Sequence, residues 1–77
     1  MKSISDLETG AGGLVYQLRG GKDFANRMAA LGFTIGAEVR VVQNHGRGPV
    51  IVSVRHVRVA LGRGEAHKVL VEVMDRA

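Results

Sequence analysis

The chain has 77 residues, 45% hydrophobic and 23% charged, with a net charge of +4, three histidines and no cysteine. That balance excludes a disordered tail and a coiled coil, and no uncharged stretch approaches the roughly 18 residues of a membrane span. The missing cysteine removes disulfides, thiolate nucleophiles and every zinc site that needs sulfur. Met1–Gly13 carries Asp6 and Glu8 and lacks an apolar h-region, so no signal peptide is read there. The expectation is one cytoplasmic domain over residues 1–77, stabilised by its core alone. Glycine occurs 11 times, about twice average usage. Eleven of the 12 valines lie between Val39 and Val73. A β-branched chain cut up by glycine reads as a small barrel or meander.

In chain order, Met1–Gly13 is a polar lead-in ending in Gly10, Gly12 and Gly13. Leu14, Val15, Tyr16 and Leu18 form a first strand, closed by Gly20–Gly21. Phe24, Met28 and Leu31 then fall at i, i+4 and i+7, which predicts a helix over about 23–31. Asp23 is its expected N-cap, Gly32 its left-handed C′ residue, and Asp23–Arg27 an i,i+4 pair on its outer side. From Ala37 the period becomes 2, with Ala37, Val39 and Val41 on one face. After the turn-rich segment 44–49, Val50, Val52 and Val54 alternate with Ile51, Ser53 and Arg55, predicting a hairpin. The apolar set then changes parity to Val57, Val59 and Leu61, and one continuous strand cannot bury both sets. A turn or bulge at Arg55–His56 resolves this, although neither residue is glycine. Residues 62–66 read as a connector with room for one 3₁₀ turn, and Val69, Val71 and Val73 as the last strand. Together these predict a mainly β, SH3-like barrel of about five strands, with one short helix after the first.

Catalytic chemistry is hard to assemble from these residues. The serines are Ser3, Ser5 and Ser53; Ser53 faces out of a strand with no histidine and carboxylate at a recognisable spacing from it, and the carboxylates are scattered, so no enzyme is expected. His45, His56 and His67 follow one another at steps of 11 residues, with no local ligand pair. His45 and His67 are at most weak metal candidates, more simply read as exposed turn residues. No cofactor is implied, since the glycine-rich pieces lack the strand–loop–helix setting of a phosphate-binding loop.

Charge is more informative. No acid lies between Glu38 and Glu65, while Arg40, Arg47, Arg55, Arg58 and Arg63 all do. Alternation sends Arg40, Arg55 and Arg58 outward on adjacent strands, a footprint for an acidic protein surface or for nucleic acid. The second reading lacks aromatic residues on that face to stack bases, so nucleic acid is the alternative and not the expectation.

The segment Arg27-Met28-Ala29-Ala30-Leu31-Gly32-Phe33-Thr34-Ile35-Gly36 is similar to the R-L-x-x-L-G-[FM]-x-P-G segment of the ferrous iron transport protein A (FeoA) family. Val39-Arg40-Val41-Val42, Gly48-Pro49-Val50-Ile51-Val52 and Val59-Ala60-Leu61-Gly62-Arg63-Gly64-Glu65-Ala66 follow in the same order. Ile35 stands where the family usually has proline, which leaves that corner looser. The resemblance implies an SH3-like accessory protein of bacterial ferrous iron uptake. Its implied partner is the membrane ferrous iron permease, contacted at the cytosolic GTP-binding domain, with any membrane association running through that partner. The same barrel also occurs in metal-dependent transcription repressors, which makes a metal-responsive regulatory domain a further alternative. Those repressors carry a helix-turn-helix upstream that is not seen in this sequence. For docking, the helix end and the turn after it are the expected surface: Leu31, Gly32 and Phe33, with Arg27 and Arg40 steering. Phe33 either stands partly exposed as an anchor or folds back as the apolar contact of a glycine C-cap. An exposed edge strand also leaves self-association open.

Overall fold

The computed structural model of the chain describes residues 1–74. Its six strands are β1 (Lys2–Ser3), β2 (Gly12–Leu18), β3 (Glu38–Gln43), β4 (Val50–Val54), β5 (Val57–Leu61) and β6 (Val69–Met74). They form one antiparallel sheet in the order β1-β6-β2-β3-β4-β5. The mainly β fold with one main helix expected from the sequence is the one observed, with the two-residue β1 added to the five strands.

Valine alternation sets the register. Val39 lies opposite Val54 and Val41 opposite Val52, while Val50 faces Leu61 and Val15 faces Val71. These side chains are all at most 2% exposed and form the core with Ile4, Phe24, Met28, Phe33 and Val69. Burying one such side chain is worth about 1.5–3 kcal/mol. The packing also dictates where a side chain is forbidden. Gly13 sits between β3 and β6, and a Cβ there would lie 2.5 Å from the Glu72 carbonyl oxygen.

The helix α1 (Gly21–Ala30) buries Phe24 and Met28, as its apolar spacing requires. It starts two residues before the expected 23–31. Gly20, not Asp23, is its N-cap, and no side chain caps it. The physical reason is the Phe24 ring, which fills the space over Gly20 where a Cβ would stand 2.4 Å from Phe24 Cγ. Asp23 instead lies in the first turn, where its charge suits the positive end of the helix. At the other end Leu31 is the C-cap, and Gly32 has the expected left-handed φ of 105°.

The change of parity is resolved by a two-residue turn. Arg55 and His56 have φ of 51° and 67°, so the turn is of the primed type without any glycine. Its twist matches the flanking strands, and this match offsets about 1–2 kcal/mol of left-handed strain per residue. One consequence differs from the sequence reading: Val57, counted there with the buried set, is 58% exposed.

The lead-in also differs. It is not merely polar: residues 4–6 form a 3₁₀ turn, and Ile4 and Leu7 are 0% and 4% exposed. Asn44, just past β3, holds this segment in place. Its Nδ2 donates to the carbonyls of Ser5 (3.1 Å) and Leu7 (2.7 Å). Its Oδ1 accepts from Arg63 Nη2 at 2.6 Å and from the Gly46 amide at 3.0 Å. Arg63 reaches on to the carbonyls of Gly48 and Ser5 at 3.2 and 3.4 Å. The connector expected at 62–66 is a short helix, α2 (Arg63–His67), which packs on the 3₁₀ turn through buried Ala66.

Two stability predictions follow from this packing. Asn44→Ala removes the donor to the Leu7 carbonyl and leaves the Ser5 carbonyl only its longer Arg63 contact, and is expected to cost about 2–3 kcal/mol in urea denaturation; an unchanged midpoint refutes its role as a clamp. Gly13→Ala forces β2 away from β6 and is expected to cost about 2–3 kcal/mol, with a wild-type melting temperature as the disproving result.

Candidate functional site

The outer face of the sheet gathers the basic residues. Arg40 on β3 lies opposite Ser53 on β4, and Ser53 opposite Arg58 on β5, so one cross-strand row carries two arginines. At its end the Arg55–His56 turn adds two more polar side chains. Glu38, Arg40, Ser53, Arg55 and His56 border an open groove of about 440 Å³. Local bonds fix two of these cations. Arg40 Nη1 donates to the Gly10 carbonyl at 2.8 Å, and Arg55 Nη2 to Thr34 Oγ1 at 3.2 Å. Arg40 and Arg55 give the groove its positive charge, with Glu38 the one carboxylate on it. The outward Arg40, Arg55 and Arg58 expected from alternation are all exposed.

The end of α1 abuts this region. Gly32 comes within contact distance of Val54 and Arg55: a Cβ on it would lie 3.4 Å from Val54 Cγ2 and 3.5 Å from Arg55 Cδ. Around the turn that follows, Leu31 is 42% and Ile35 65% exposed. Apolar surface therefore stands beside the arginine groove.

The five residues singled out in the sequence are sorted by this geometry. Leu31 and Arg40 are exposed and Gly32 is buried. Phe33 is 0% exposed, so the partly exposed anchor is corrected: its ring folds back into the core, where burial outweighs exposure for so large an apolar side chain. Its amide donates to the Met28 carbonyl at 2.9 Å, completing the end of the helix. Arg27 does not pair with Asp23. Its Nη2 lies 3.4 Å from Glu65 Oε2 of α2, and its guanidinium stands 5.6 Å from the centre of the Phe24 ring. That exposed pair is worth under about 1 kcal/mol, but it turns Arg27 toward α2. Ile35 and Val57 were missed as surface residues. The signal for Ile35 was available, an apolar side chain in a turn between Thr34 and Gly36.

His45, His56 and His67 are all exposed and stay apart in role. His67 Nδ1 lies 3.5 Å from Ser5 Oγ, and His56 sits at the groove. Among the described residues no group of three or more His, Asp or Glu side chains is placed to hold a metal ion.

Residues 2–73 match the FeoA domain family. A Methanocaldococcus jannaschii protein provisionally named Fe(2+) transport protein A is 36% identical over 59 residues, 77% of this chain and 71% of that protein. The crystal structure of an iron uptake regulatory protein (FeoA) superposes with a TM-score of 0.87 at 33% identity, covering 95% of this chain and 96% of the other. Stenotrophomonas maltophilia FeoA, solved with zinc and described as a prokaryotic SH3 domain protein, gives 0.76 at 32% identity, covering 94% and 91%. The SH3-like character expected from the strand order is thus shared with solved relatives. A family match over nearly all the described residues, on a barrel that sets Gly32 and Gly36 in their left-handed turns, places this chain in the FeoA family of ferrous iron transport.

Proposed function

We propose that this chain is a cytoplasmic accessory protein of ferrous iron uptake, not an enzyme, that docks on the cytosolic GTP-binding region of the membrane ferrous iron permease. The observation that carries the reading is the corner where exposed Leu31 and Ile35 adjoin the groove bordered by Arg40 and Arg55. An apolar anchor at the centre of an interface supplies most of its binding energy, and surrounding charge speeds and orients the encounter with an acidic partner surface. Among the described residues no helix is long and apolar enough to cross a membrane, and in this reading the chain meets the membrane only through its partner.

A nucleic-acid role is less well supported. Phe24 and Phe33 are buried, and Tyr16, 52% exposed, is the one aromatic at the surface. Single-strand binding relies on several stacking platforms along a basic groove.

Capture by the detergent-solubilised permease tests the docking. The double variant Leu31→Asp, Arg40→Glu is expected to bind at least about tenfold more weakly while keeping a folded spectrum. Equal capture of this variant and wild type means the surface is elsewhere. Phe33→Ala is expected to act differently, lowering stability by about 3–5 kcal/mol as a core truncation. A fully stable Phe33→Ala protein contradicts the buried position assigned to that ring.

A further inference from the structure

The strand order leaves two edges, β1 and β5. β1 is two residues long and carries Lys2, the short, charged kind of edge that resists further pairing. β5 is five residues long, carries no proline, and pairs with β4 without a bulge. Val57, Arg58 and Ala60 on it are exposed.

The register decides which of its peptide groups are free. Val54 and Val57 flank a two-residue turn, so they exchange both hydrogen bonds. Alternation repeats this at Val52–Val59 and Val50–Leu61. The amides and carbonyls of Arg58 and Ala60 therefore aim away from β4, and they make no hydrogen bond with another part of the described chain. Side chains sort by face along this edge. Val57 and Val59 continue the apolar inner face, with Val57 58% exposed. Arg58 continues the outer row through Ser53 to Arg40, and no acid occurs between Glu38 and Glu65.

We propose that β5 takes up an extended acidic segment of a partner polypeptide as a seventh strand. Alternate carboxylates would lie over Arg58, and the intervening apolar side chains beside Val57 and Val59. The free Arg58 and Ala60 peptide groups supply the pairing, as in other cases of strand addition to an open edge. Charge selects the occupant. Pairing β5 with a second copy of itself about Val59 would bring two arginine-rich faces together with no carboxylate of β3–β5 but Glu38 to neutralise them. The inference goes beyond docking at the Leu31 corner and does not rest on it, since it concerns the free peptide groups of the β5 edge and a defined peptide tests it.

The probe is a seven-residue peptide alternating glutamate and valine, titrated into the intact protein and followed by amide NMR and hydrogen exchange. Binding is expected to protect the Arg58 and Ala60 amides at least about tenfold, and Arg58→Glu to weaken it about tenfold. Ala60→Pro removes an amide that faces outward, so the sheet is expected to persist while binding is lost. Should that variant not fold, the same peptide N-methylated at alternate amides keeps the charge and removes the pairing donors, and its failure to bind supports the strand. The proposal is overturned by equal binding of the N-methylated peptide, equal binding of a lysine–valine peptide, or a concentration-dependent dimer that occupies β5 and excludes the acidic peptide. Equal protection of the same amides by a single-stranded DNA oligonucleotide also overturns it, by assigning the edge to nucleic acid.

Discussion

A single carboxamide, Asn44, fastens the first residues of the chain across one end of the sheet, over the buried inner valine rows. With its two donors on the carbonyls of Ser5 and Leu7 and its oxygen held by Arg63, it unites the 3₁₀ turn, the 44–48 loop and α2. Ile4 and Leu7 are thereby pressed onto the core that β3, β4 and β6 have built. In a chain this small few apolar side chains are spare, so covering that end matters as much as the strand pairing itself. No buried side-chain nitrogen or oxygen among the described residues lacks a hydrogen-bond partner.

The docking surface proposed above lies at the other end of β3. There the chain turns from α1 through Gly32 and Gly36 into the sheet, and the Arg55–His56 turn closes beside it. The two ends differ in chemistry. At the Asn44 end arginine is consumed by structure, Arg63 being spread over three acceptors. At the Gly32 end Arg40 and Arg55 each make one bond and leave the rest of the guanidinium to solvent. Cations positioned but not neutralised, next to apolar surface, suit recognition of another protein better than chemistry on a small molecule.

Much of the architecture was legible along the chain, for reasons that can be named. Phe24 and Met28 revealed α1 through a 3.6-residue period, and the valines of β3 to β6 revealed strands through a period of 2. The parity change located the Arg55–His56 turn although no glycine marks it, because inward-facing sets on both sides cannot be reconciled otherwise. Ile4 and Leu7 escaped notice because each stands alone among polar residues, with no period to mark it. Asn44 escaped too: an asparagine in a turn is ordinarily read as satisfying its own loop, whereas here its side chain also serves a segment nearly forty residues away. The site was half legible. Arg40, Arg55 and Arg58 were placed outward by alternation alone, but whether Phe33 or its neighbours met solvent depended on how the C-cap turned.

The sequence by itself determined the order and kind of the main elements, the parity of the sheet and the sign of its outer face. Periodicity and charge are properties of neighbouring residues, so they can be read locally. Only the tertiary structure decided that Phe33 lies inside while Leu31 and Ile35 stay out, that Arg27 turns to Glu65, and that β5 ends as an open edge. Each of those depends on which distant segment arrives alongside, and contacts across that separation leave no trace in local spacing.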